Sequence, residues 1–493
     1  MTLRLHSAVW IGLCVAALTV PAARAQQDQQ TQQPGQGQTS EQPSEPIPAY
    51  RSPLASMAGN QGDEEGAQEL QPDNRSLSGV QNLSLGIPTT RSYWQPRVDI
   101  SATADSNAQE TANSAGWGEW TSVSGGIDVH RTSGDNELTL SYTSGGMFAN
   151  QTGTSNGVAQ GLSLADKFAF RRASISFFDE LTYLPETSFG FAGLGGAATS
   201  SATSSGVGSS FTSGQSLLTG YGQNLANSFA TEVNTFITPR TSLTFAGGYS
   251  LLHYFDSGLL NYGDVTFRGG YNYQLTRKDT FAVLYTFSGI GYSNFNQSID
   301  DHTVQISYGR RVTGHLAFQV AAGPQVVISR TPITGNDASS GSGPVSGTNI
   351  TQVFWSLNSS IQWQPNRNSF GLAYNHGVGG GSGVLAGSLS DIVSGSVTRQ
   401  VSRTFSDAFT AGYSRNEGVA IISTTASSQT FNYWFAGISV THPMGRVTGL
   451  TFSYQLQYQN SNAMFCNGPT CGTDVIRHLI SVGMGWHERP LLF

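Results

Sequence analysis

From about Arg97 to the end of the chain, apolar and polar residues alternate with a period of two, the signature of strands with two unlike faces. Between Val265 and Leu275 one face carries Val265, Phe267, Gly269, Tyr271, Tyr273 and Leu275, and the other carries Thr266, Arg268, Gly270, Asn272 and Gln274. Leu450, Phe452, Tyr454, Leu456 and Tyr458 alternate in the same way with Thr451, Ser453, Gln455 and Gln457. Leu316, Phe318, Val320 and Val326 alternate with Ala317, Gln319, Ala321 and Gln325, and Phe281, Val283, Tyr285 and Phe287 form a further apolar face. Alternation by itself also fits a soluble sandwich. The connections separate the two. Short ones fall at 238–241, 276–279, 312–315 and 365–368, and long ones rich in Gly, Ser, Asn and Thr fall at 149–163, 193–227, 331–349, 376–388, 416–429 and 460–474. Tight periplasmic turns alternating with extended external loops are the rhythm of a transmembrane antiparallel β-barrel. Arg240, Arg277, Lys278, Arg311, Arg367, Arg403 and Arg446 lie at or beside short turns, where they would meet periplasmic headgroups. Pairing strands across these connections predicts an all-β barrel of about 18 strands, with 16 as the alternative. Both ends then lie in the periplasm. The last strand runs from Ile476 through Ile480, Val482, Met484 and Trp486, and Glu488, Arg489 and Pro490 interrupt its alternation before Phe493.

Composition agrees. Charged residues make up 11% of the chain, against 59 glycines and 11% aromatics. So little charge would suit membrane helices, which need roughly 20 consecutive apolar residues, yet no such run follows residue 21. A closed barrel is the other way to satisfy backbone groups in a bilayer. The net charge of -7, with Lys167 and Lys278 as the only lysines, speaks against nucleic acid as a partner.

Residues 1–25 read as a cleaved secretory signal, with Arg4, an apolar stretch from Ala8 to Val20, and Ala23-Arg24-Ala25 at the cleavage site. Cys14 follows Leu13, where a lipobox needs a small residue, so lipidation is not expected. Residues 26–94, Gln- and Pro-rich and then Ser- and Gly-rich, contain too little apolar material for a core and are expected to be a disordered periplasmic segment. It reads as a tether, or as a segment that plugs the lumen or docks on a periplasmic partner through Leu77, Val80, Leu83 and Leu85. Residues 95–493 form the barrel.

Cys466 and Cys471 flank Asn-Gly-Pro-Thr in a chain bound for an oxidising compartment, so a disulfide closing this turn is expected. The alternative, a metal site, needs further ligands, and the nearest histidine, His478, falls in a strand. No metal site or cofactor is expected. Asp128 and His130 share a strand face, the arrangement of channel lining more than of a catalytic pair. The run Gly377-Val378-Gly379-Gly380-Gly381-Ser382-Gly383 has no Lys-Ser/Thr after it and no βαβ context, so it reads as a flexible external loop, not a phosphate cradle. No enzyme is expected.

Pro-Arg-Thr-Ser-Leu at 239–243, Gly-Tyr-Ser at 248–250, Gly-Tyr-Asn-Tyr-Gln-Leu at 270–275 and Ser-Tyr-Gly-Arg-Arg at 307–311 resemble hairpins of the outer-membrane β-barrel porin family, some members of which are linked with exopolysaccharide export. The terminal Phe493 resembles the signal read by the barrel-assembly machinery. The resemblance implies an outer-membrane location, lipid and assembly-machinery partners, and a pore for small polar solutes. Two other functions stay open: an accessory or conduit barrel in polysaccharide export, and a structural or adhesive surface barrel. The segment 193–227, free of charged residues, is either a disordered external loop or, by resemblance to the constriction loop of general porins, an inward fold. Lys167, Arg171, Arg268, Asn272, Gln319 and Gln455 are the expected pore-lining residues. With hydroxyls and amides at the constriction, the expected cargo is neutral and any ion preference weak and anionic.

Overall fold

The computed structural model describes residues 92–107, 116–149, 156–184, 223–255, 259–293, 297–331, 348–365, 367–380, 385–402, 404–419, 429–462 and 474–492. Among them, eighteen antiparallel strands close into one barrel, with a two-residue nineteenth strand at the end. In chain order the strands are β1 (Tyr93–Asp105), β2 (Gly118–Ser133), β3 (Asn136–Ala149), β4 (Gly157–Ala169), β5 (Ala173–Leu184) and β6 (Asn224–Thr238). The middle third holds β7 (Thr241–Tyr254), β8 (Tyr262–Gln274), β9 (Asp279–Tyr292), β10 (Gln297–Thr313), β11 (Leu316–Thr331) and β12 (Thr348–Trp363). The last third holds β13 (Asn368–Gly379), β14 (Ser388–Gln400), β15 (Ser406–Gly418), β16 (Thr430–Pro443), β17 (Thr448–Ser461) and β18 (Val475–His487), then β19 (Leu491–Leu492). Each strand pairs with its sequence neighbours, and β1 pairs with β18 from Arg97↔His487 to Asp105↔Leu479. The β1–β18 seam removes both sheet edges, as a bilayer requires.

The seam also explains the irregular C-terminus. Leu491 and Leu492 resume pairing with Trp94 and Tyr93 after one extra residue relative to the β18 register. The break at Glu488, Arg489 and Pro490 is thus a bulge opposite Gln95 and Pro96, two residues whose neighbourhood cannot carry a regular ladder because proline lacks an N–H. Its freed groups are recovered: Glu488 N–H donates to Pro96 O at 3.1 Å, and Gln95 Nε2 donates to Glu488 O at 2.8 Å.

The connections at the end that also holds Tyr93 and Leu492 are short, and those at the other end are longer except for the four residues 293–296 between β9 and β10. The turn between β2 and β3 is the two residues Gly134 and Asp135, with Gly134 at φ +56° as a tight hairpin demands. Arg240, Arg277, Lys278, Arg367 and Arg446 fall in the short turns as expected, and Arg403 lies outside the described residues. So do Cys466 and Cys471, residues 193–222 of the uncharged segment, and the chain before Ser92.

One parity of every strand points outward. Phe267, Phe281, Val283, Ile306, Val353, Phe409 and Phe452 are exposed large apolar residues on that face, in a molecule whose outer surface therefore suits hydrocarbon. Aromatic residues mark its borders: Trp94, Trp363, Phe370 and Trp486 near the short turns, and Trp355, Tyr413, Trp434 and Tyr458 toward the loops. Above the upper border the outward positions turn polar, with an Asp300–Arg330 ion pair and the His376–Asp391 pair at 2.6 Å. A closed barrel with an apolar band between aromatic girdles belongs in the outer membrane.

Candidate functional site: the lumen

The opposite parity faces inward, and the register settles which residues those are. Lys167 is on the inner face of β4, directly opposite Glu137 on β3 and Ser176 on β5. Arg268 is on the inner face of β8 opposite Ala246, with Glu232 the next residue along that row. Asn272 sits inside as well, 4% exposed, where its Nδ2 donates to Thr244 Oγ1 at 3.0 Å and Thr244 in turn donates to Asn234. Gln319 and Gln455 belong to the inner faces of β11 and β17. Arg171 does not: it lies exposed in the turn between β4 and β5, at the periplasmic rim, because β4 ends at Ala169.

Asp128 and His130 are neighbours on the inner face of β2 with separate partners. Arg97 Nη1 reaches Asp128 at 2.5 Å and Ser141 Oγ donates to it at 2.6 Å, whereas His130 meets Thr139 at 3.2 Å. The serine contacts the acid without passing through the imidazole, so the group lacks the order that a nucleophilic triad needs.

The inner wall is electrically lopsided. Its charged residues come from β1 to β10, plus Arg477 at the loop end of β18; the inner face of β11 to β17 carries none among the described residues and presents groups such as Gln319, Ser360, Thr398, Ser439 and Gln455. On the charged side most cations are matched. Arg97 pairs with Asp128, Lys167 faces Glu137, Arg268 shares a row with Glu232, and the wholly buried Arg477 donates through Nε to Asp105 at 2.7 Å. Counted by face among the described residues, the inward carboxylates Asp99, Asp105, Asp128, Glu137, Glu180, Glu232, Asp264 and Asp301 outnumber the inward cations Arg97, Lys167, Arg268, Arg311 and Arg477. The excess among the described residues is negative.

At the loop end the tip of β13 and β14 departs from the wall. β12 runs to Thr348, but β13 pairs with it only as far as Leu357↔His376; beyond that point β13 leaves the wall. Its departing end is caught by Gln325 on the inner face of β11, whose Oε1 accepts from Val378 N–H at 3.0 Å and whose Nε2 donates to Val378 O at 3.1 Å. The same Nε2 donates to Asp301 at 2.9 Å. Farther in, Tyr292 on β9 donates its hydroxyl to Gly380 O, and the Gly380 backbone lies against the Tyr262 ring of β8. Ala386 joins Leu260, Ile290, Tyr292, Ile299, Val327 and Val419 in a buried apolar cluster, with Val378 and Leu389 packed on it. Gly387 adopts φ +78° with its Cα face against Ile299, a position that no side chain can share.

This overturns the reading of Gly377–Gly383 as a flexible external loop. Gly377–Gly379 are strand, and Gly380 and Leu385–Gly387 fold inward across the mouth; residues 381–384 lie outside the described ones. The missed signal was Val384-Leu385-Ala386 between glycines, an apolar triplet that a solvated loop has no use for.

No family model matches the sequence, and no curated protein matches it. Solved structures that it is similar to include OccAB3 of Acinetobacter baumannii, at 10% identity over 80% of this chain and 99% of that one, with a TM-score of 0.39. OpdQ of Pseudomonas aeruginosa is 10% identical over 82% of this chain and 100% of its own, with a TM-score of 0.40. OpdK of Pseudomonas aeruginosa with vanillate is 9% identical over 80% and 98%, with a TM-score of 0.39. A likeness of this extent says nothing of what passes through the barrel.

Proposed function

We propose that the protein is an outer-membrane pore for small polar solutes, narrowed at its external end by the β13–β14 tip and favouring neutral and cationic solutes over anions. The observation that carries this reading is the inner face. Every strand of a closed eighteen-strand wall turns hydroxyl, amide, small or charged residues inward, interspersed with apolar ones such as Phe178, Leu284, Ile392 and Leu479, and barrels of 16–18 strands enclose an aqueous channel. Solutes then pass between the carboxylates of one arc and the hydroxyls and amides of the other, meeting Lys167, Arg268, Gln319 and Gln455 on the way. The excess of inward carboxylates over inward cations sets the ionic bias, since fixed rings of charge are what select ions.

Planar-bilayer recording of the refolded protein tests both parts. Discrete conductance steps are expected, with a reversal potential in a salt gradient on the cation-selective side, and liposome swelling in neutral sugars. A barrel that inserts without conducting would defeat the pore reading, and anion selectivity would defeat the role assigned to the inward carboxylates.

A further inference from the structure

Two carboxylates point the wrong way for a barrel surrounded by lipid. Asp179 is on the outward face of β5 between Phe177 and Leu181, which are exposed. Its partners on the adjacent strands are Leu164 and Phe229, so its immediate surroundings on the outer face are apolar. Asp166 is on the outward face of β4 in the row Leu138, Asp166, Phe177, Thr231, Gly247 and Phe267. Each has one amide donor, from Asn227 to Asp179 at 2.9 Å and from Asn136 to Asp166 at 2.6 Å. Among the described residues neither forms an ion pair, and the second oxygen of each accepts no hydrogen bond. Hydrocarbon offers a carboxylate no donor, and leaving it there is costly.

The same stretch of wall holds the donors that are missing. Thr231 and Thr235 turn their hydroxyls outward from β6, and Gln160 its amide from β4. Neighbouring β7 to β9 instead present Phe245, Tyr249, Phe267, Tyr271, Phe281 and Val283. Set against β7 to β9, the outward carboxylates lie on β4 and β5 with outward hydroxyls next to them on β6.

We propose that the outer face of β4–β6 is a contact surface for a second copy of this chain, β4 and β5 of one copy lying against β6 of the other. A copy in the same membrane brings its Thr231 and Thr235 to face the carboxylates it must satisfy, which no lipid does. With acceptors on one side of the strip and donors on the other, a two-fold axis along the membrane normal sets the acceptors of each copy against the donors of its partner, so the patch is self-complementary. Asp166 and Asp179 are retained because they mark the partner surface, as polar side chains do between membrane segments.

Photocrosslinking in outer membranes decides the matter. The photoreactive residue p-benzoylphenylalanine is placed at Phe177, at Phe229, or at Phe267 as an outward control on β8, and folding is checked by heat-modifiable mobility. Adducts at twice the chain mass are expected from positions 177 and 229 and not from 267. Asp179→Leu in the same proteins should cut that yield by roughly threefold or more, the worth of one net hydrogen bond. The proposal is overturned if positions 177 and 229 give no protein adduct, if the adduct has another protein's mass, if position 267 reacts equally, or if Asp179→Leu leaves the yield unchanged.

Discussion

Arginine at Phe267 or Phe452 would have to enter hydrocarbon, at a cost of about 2–4 kcal/mol near the midplane. Arginine at Gln455 would face the lumen, where the inner side of β17 meets only Gly437 and Leu479 in its row. Heat-modifiable gel mobility should therefore show little folded Phe267→Arg or Phe452→Arg protein, and normal amounts of Gln455→Arg. Asn272→Arg belongs between them. Its inward direction was legible from the alternation, but its burial and its hydrogen bonds to Thr244 were not, because they depend on what stands on β7. Retention of folded Phe267→Arg at the level of Gln455→Arg would refute the face assignment.

At the scale of elements, the β13–β14 tip is held by an apolar cluster rather than by a continuous ladder, so a charge placed in that cluster should free it. Ile299→Asp buries a carboxylate against Ala386 and Val327, at a cost of several kcal/mol, while the strand itself stays paired on both sides. Single-channel conductance should rise with the barrel still folded. Unchanged conductance would show that the tip does not narrow the path. The apolar triplet Val384-Leu385-Ala386 hinted that the tip is buried but not against what: the run of glycines sets no direction, and the partners Tyr262, Tyr292 and Ile299 stand several strands away around the wall.

For the whole molecule, closure depends on β1 and β18, which are nearly 400 residues apart along the chain. At the loop end of that seam the buried Arg477 and Asp105 face each other, both wholly removed from solvent. Breaking a buried pair costs about 3–5 kcal/mol, so Asp105→Ala should lower the urea concentration or temperature at which the folded band is lost. Equal stability of Asp105→Ala and the parent would mean that the seam is held by its backbone ladder alone.

Strand faces, the rhythm of short and long connections and the count of eighteen follow from the sequence, since each is set by a period of two or by residues a few positions apart, whereas the bulge before Phe493 is defined by the pairing with β1. The pairing of particular charges, the division of the lumen into a charged and an uncharged arc, the inward β13–β14 tip and the surroundings of Asp166 and Asp179 follow only from the closed barrel. Each depends on which strands curvature and register bring level with one another, and a one-dimensional pattern carries no information about rows that run across the sheet.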